Sequence, residues 1–157
     1  MKYLLCLFLS LNIAGSYADS DHDDWRKSAG DDEKLEKLIK VIPSTSDIMF
    51  QMGHRYKNLY WAGKQGKWEF AEYQIEEMQS LIKKLIITRP KREETARNFL
   101  NYAFDGYEDA IENQNWAGFQ KAFDKMRQAC ERCHQQNKHG FIKLQKTPSK
   151  GHSPALD

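Results

Sequence analysis

The chain is short of everything that would staple, break or strongly charge it. Of its three cysteines, Cys6 lies in the first ten residues, so only Cys130 and Cys133 remain for the rest of a 157-residue chain. That is too few for a disulfide scaffold, and the fold has to rest on a hydrophobic core. Only four prolines interrupt it, with none between Pro43 and Pro90. Gly-rich phosphate loops, alternating strand patterns and internal repeats are also missing, which removes nucleotide-binding, sheet and solenoid architectures from first consideration. Neither sign of charge dominates: 24 Lys and Arg face 22 Asp and Glu, a formal net charge of +2. A strongly basic nucleic-acid binder is therefore not expected. What is present is 40% hydrophobic and 29% charged residues, enough for one ordinary domain with a real core.

The N-terminus has the pattern of a secretory signal. Lys2 gives a positive start, "YLLCLFLSLNIA" an apolar stretch, and Ser16, Tyr17 and Ala18 a small-x-small cleavage site. Cleavage is expected after Ala18, leaving an exported, periplasmic chain. The apolar run is too short, and too soon followed by "DSDHDD", to span a membrane. Charge is uneven along the remainder. Eight acids fall in residues 19–36, whereas residues 121–150 hold eight Lys or Arg and two acids. The positive end is the cysteine end.

Residues 19–43 read as an acidic, flexible lead-in in which "DEKLEKLIKVI" forms a short helix that Pro43 stops. From there helical periodicity dominates. A first long helix starts at the "STS" cap and runs to about Lys64, with Met49, Met52, Tyr56, Leu59 and Gly63 facing inward. The second, from about Lys67 to Thr88, carries Trp68, Ala71, Ile75, Met78, Ile82 and Leu85 on one face. The third begins near Lys91 and presents Ala96, Phe99, Ala103, Tyr107 and Ala110 or Ile111 up to the break at "NQNW". The fourth runs from about Asn115 to His139 with Trp116, Phe119, Phe123, Met126, Cys130 and Cys133 inward. Four such helices on short connections predict an all-α fold, an antiparallel up-down-up-down four-helix bundle over residues 44–140. Residues 141–157 read as a flexible basic tail.

The chemistry concentrates in Cys130, Glu131, Arg132, Cys133 and His134, a C-x-x-C-H string. This spacing marks c-type heme attachment: two thiols add to the vinyl groups of one porphyrin edge and the next residue brings its imidazole under the iron. Three other chemistries stand beside it. A disulfide across so short a loop would constrain the unfolded chain little. A redox dithiol is expected at a helix N-terminus after a strand, and this pair comes late in a helix. A zinc site needs two further ligands, for which His134 and His139 are at hand without a second C-x-x-C or H-x-x-x-H.

With the motif late in the last of four helices, the chain over residues 44–140 resembles the class II c-type cytochromes, the cytochrome c prime type and its low-spin relatives. "CERCH" carries the resemblance, with "MFQMGHRY" similar to the family's first-helix segment facing the heme. The string "QQNKHG" departs from the aromatic and basic cluster that often follows the motif in the family. The resemblance implies one covalent heme c held by thioethers from Cys130 and Cys133, with His134 as proximal iron ligand. It also implies that a first-helix side chain covers the other face of the heme, Met49 as first candidate and Met52 as alternative. A thioether there favours the reduced iron and suits one-electron transfer. An apolar cover would instead leave an open position for NO or CO. A homodimer through the first two helices is a further implication. The sequence carries no acid–base pair or activated nucleophile, so an enzyme is not expected. Lys125, Arg127, Arg132, Lys138 and Lys143 near the motif point to an acidic redox protein as partner. The reading from another class is a heme-free helical interaction protein whose two cysteines form a local disulfide.

Overall fold

The computed structural model describes residues 25–150 and Leu156; the expected signal segment, residues 1–18, and its expected cleavage site lie outside the described residues. All regular structure among them is helical, with no strand. The chain divides into two compact units, Met1–Val41 and Ile42–Asp157. In the first, helix α1 (Trp25–Ser28) is a single turn and α2 (Asp31–Val41) opens on Asp31, Asp32 and Glu33, whose charges suit the positive end of the helix dipole. Glu33 with Lys37 and Glu36 with Lys40 add helical ion pairs at four-residue spacing, at 2.8 and 2.6 Å. Helix thus begins earlier in the lead-in than its aperiodic composition predicts.

The second unit holds the core. Helix α3 (Thr45–Lys64) starts from a capping box: the Ser44 hydroxyl accepts from Asp47 N, and Ser44 N donates to the Asp47 carboxylate. The Ser44 hydroxyl also donates to that carboxylate at 2.7 Å, and this bond, with the one from Ser44 N, holds the Asp47 carboxyl below its usual range. The turn after α3 passes through Gly66 at φ 69°, a left-handed conformation natural to glycine, and leads into α4 (Trp68–Thr88). Pro90 then opens a short 3-10 turn, Pro90–Arg92, that feeds α5 (Glu93–Ala103). Helix α7 (Trp116–Gln136) is capped by the Asn115 side chain, which accepts from Gly118 N at 3.1 Å.

The third expected helix is two helices, α5 and α6 (Tyr107–Glu112). Between them Gly106 takes φ 88°, which breaks the α-helical path while keeping Ala103 and Tyr107 on the buried side. The apolar spacing runs straight across the break and so conceals it.

Helix α3 packs on α4 and α7, α5 on α4 and α7, and α6 on α7. Leu59, Met78, Phe119, Met126 and Tyr107 are fully buried at the centre, each worth about 1.5–3 kcal/mol as a buried large side chain. Polar ties fix the register. Arg55 of α3 donates to Gln74 and Glu77 of α4, and Arg89, just past α4, donates to the carbonyl of Pro43 just before α3. No helix among the described residues is long and apolar enough to cross a membrane.

The stretch after Gly140, read as a tail, has its own anchors. Tyr56 Oη donates to the Gln145 carbonyl at 2.6 Å, Trp61 Nε1 to that of Pro148 at 3.0 Å, and Gln65 Nε2 to that of Leu156 at 3.1 Å. Pro148 and Leu156 are buried.

Candidate functional site

The last two turns of α7 place Cys130, Cys133 and His134 along a cavity of about 470 Å³. Residues three and four apart share a helix face, so the C-x-x-C-H spacing is enough to turn all three toward one space. The rest of the wall comes from elsewhere in the unit. Met49, Met52 and Tyr56 enter from α3, Met78, Ile82 and Leu85 from α4, and Arg92, Thr95 and Phe99 from the 3-10 turn and α5. The lining is mostly apolar with a few polar groups concentrated near the thiols, and its size suits a cofactor rather than a single ion.

Each residue singled out in the sequence has a definite place. Cys130 and Cys133 are unbonded and partly buried. Met52 is buried and Met49 partly buried, one turn apart along the same wall. His54, in the same first-helix string as the two methionines, is not part of the lining; its Nε2 lies 3.1 Å from Asn58 Nδ2. Of the basic residues near the motif, Lys125 pairs with Asp105, and Arg127 with Asp124 and Glu131. The other three basic residues named near the motif, Arg132, Lys138 and Lys143, are exposed.

Sequence reasoning did not pick out most of the lining as part of a site, and three of those residues matter to its chemistry. Met78 brings a third thioether, from α4. Arg92 brings a guanidinium, and its Nη1 donates to Asn137 Oδ1 at 2.6 Å. Asn137 in turn donates through Nδ2 to the Cys133 carbonyl and to Thr95 Oγ1, and lies 3.6 Å from Cys133 Sγ. This knot ties the start of α5 to the end of α7 beside one thiol. Nothing local in the sequence signals it, because Thr95 and Asn137 lie 42 residues apart along the chain.

Burial sets the protonation of the site. The Cys130 thiol is pushed up to about 12, by desolvation first and then by neighbouring Cys133. Cys133 is also raised by burial, against the opposing pull of Thr95, Arg92 and Asn137. Thiols shifted this way are the reverse of the easily ionised cysteine of a redox dithiol. Among the described residues no group of three or more His, Cys, Asp and Glu side chains is placed to hold a metal ion, so the zinc half-site gains no further ligands. The donor set instead fits a c-type heme: two adjacent thiols, an imidazole beside them, thioethers on another wall and apolar surroundings.

His134 is held below its usual value by desolvation, with the Ile142 carbonyl pulling the other way. Its folded pKa is thus lower than its unfolded one, so as pH falls from about 6.5 the unfolded chain binds a proton before the folded one does. The corresponding stability is complete above the unfolded pKa and is lost as pH falls toward the depressed folded value. Denaturant titration of heme-free protein should give a lower midpoint at about pH 5.5 than at about pH 7.5, and His134→Gln should shrink that difference. An equal difference in the variant would assign the acid sensitivity to other groups.

Compared with protein-family models, curated proteins and solved structures, the chain matches none.

Proposed function

We propose that this chain is an exported class II c-type cytochrome, an antiparallel four-helix bundle that carries one heme c and transfers single electrons. The observation that carries the reading is the convergence of Cys130, Cys133, His134, Met49 and Met52 on one largely apolar cavity from opposite parts of the chain. The up-down-up-down order is supported by the ties at the helix ends: Arg89 back to Pro43, and Arg92 to Asn137. When bound, heme c supplies an iron that cycles between two oxidation states. Everything else is the work of the chain. Cys130 and Cys133 would hold the group through thioethers, and His134 would offer its Nε2 to the iron. Met49, or Met52 one turn further on, would offer a thioether to it as well. Arg92 lines the same cavity and offers a counter-charge to the carboxylate substituents of the porphyrin. The apolar walls from α4 and α5 exclude water, which limits the solvent rearrangement that accompanies a change of charge. Arg132, Lys138 and Lys143 would steer an acidic redox protein.

A second reading draws on the same lining. If the methionines only pack, Ile82, Leu85 and Phe99 offer an apolar space for NO or CO beside an open iron position. Single Met49→Ala, Met52→Ala and Met78→Ala variants separate the two. For an electron carrier, one variant, Met49→Ala first, should change a low-spin spectrum to high-spin, lower the reduction potential and gain carbon monoxide binding. A wild-type protein that is already high-spin and binds carbon monoxide, with all three variants alike, would establish gas capture instead.

A further inference from the structure

We propose that residues 141–150 form a strap that fixes the tautomer and orientation of His134, leaving the proton on Nδ1 and Nε2 bare as the ligating nitrogen. This deepens the heme reading and rests on it for its function, although the tautomer is a property of the chain alone.

Lys138, just past α7, takes the left-handed conformation at φ 63°, and Ile142 N then donates to the His139 carbonyl at 2.9 Å. The reversal brings the Ile142 carbonyl oxygen to 3.4 Å from His134 Nδ1. A carbonyl has no hydrogen to give, so this contact is a hydrogen bond only when Nδ1 carries the proton. A neutral imidazole has one N–H, and Nε2 is then left with a lone pair.

The carbonyl is positioned by bonds on both sides. Leu144 N donates to Glu131 Oε1 at 3.1 Å, so the strap is tied to a residue inside the C-x-x-C-H string itself. Tyr56, which lines the cavity, donates to the carbonyl of Gln145, three residues beyond Ile142. Burial raises the Tyr56 phenol well above its ordinary value, so it stays protonated and remains a donor. Leu144 is partly buried against the core and joins Ile142 in the cavity wall. A histidine that donates its distant N–H to a fixed acceptor is a stronger and better-oriented ligand through its other nitrogen. Ile142 is thus a positioning residue, acting through its backbone, and Glu131 and Tyr56 position it in turn.

The test is nitrogen NMR of isotope-labelled histidine in the full chain prepared without heme, at mildly alkaline pH where the imidazole is neutral. His134 is expected mainly as the Nδ1–H tautomer, against the Nε2–H preference of free histidine. A chain ending at Gly140, which lacks the acceptor, should shift toward Nε2–H, and so should Glu131→Ala, which loosens the strap and serves if the shortened chain does not fold. An Nε2–H tautomer in the full chain, or an Nδ1–H tautomer unchanged in Glu131→Ala, would overturn the proposal. In heme-loaded reduced protein made five-coordinate by the methionine substitution that turns the spectrum high-spin, the iron–histidine stretching frequency should fall on adding Glu131→Ala, and an unchanged frequency would deny the strap its effect on ligation. A chain that takes up no heme would sink the cytochrome reading, with the heme-free tautomer still deciding for or against the strap.

Discussion

Gly63→Val should cost the protein much of its stability. Gly63 is buried near the end of α3, where a Cβ would come within 2.6 Å of Phe119 Cδ1 and Cζ. Phe119 has no room to give. It is fully buried, stacked on Trp116 at 5.8 Å and edge-on to Tyr107 at 5.0 Å and to Trp68 at 5.9 Å. Overpacking of this kind costs about 1–3 kcal/mol, and a branched side chain against two rigid helices belongs at the upper end. Against a total stability of about 5–15 kcal/mol, that loss should appear as a clear fall in the denaturation midpoint. Gly53→Ala in the same helix is the control, compared in heme-free protein because Gly53 lines the cavity: nothing lies within 4 Å of its added carbon, and removing a helix glycine should be worth about 0.5–1 kcal/mol. Equal midpoints for the two variants would show that α3 and α7 do not approach each other as described.

The second large effect is chemical. On the cytochrome reading, a chain with both Cys130→Ala and Cys133→Ala should lose all heme that survives denaturation, because the two thiols lining the cavity are the groups that would form the thioethers. Its helical content should be retained in part, since the core is built from Leu59, Met78, Phe119 and Met126 and not from the thiols. Each single variant should keep heme through one remaining bond. A disulfide protein would respond differently: opening so short a loop gives back little chain entropy, so the double variant would differ little in stability and carry no pigment before or after. Heme staining of denaturing gels for the four chains, with circular dichroism of each, separates these cases.

Much of the fold could be read where the signals are local. The "STS" cap, Pro90 and Asn115 mark helix ends through side-chain or ring chemistry confined to a few residues, and the helices begin and end beside them. Register within the stripes was readable to about one residue. Ile48, one position before the expected Met49, is the more buried of the two. The break before α6 was hidden because the apolar spacing from Ala103 to Tyr107 is what an unbroken helix would show. The strap was hidden for a different reason. Its acceptors are backbone carbonyls of residues 142, 145 and 148, which leave no side-chain signature. Its donors, Tyr56 and Trp61, belong to an aromatic run that reads equally well as core. In the site, Cys130, Cys133 and His134 were legible because one helix turn holds all three. Met78 and Arg92 were not, since periodicity tells which side of a helix faces inward but not which helices meet.

The visible absorption spectrum of the full chain exported to the periplasm, before and after acid–organic extraction, bears most directly on the cytochrome reading. A c-type cytochrome shows a Soret band that sharpens on reduction and stays with the polypeptide through extraction. A colourless protein, or pigment that leaves entirely with the solvent, would contradict it.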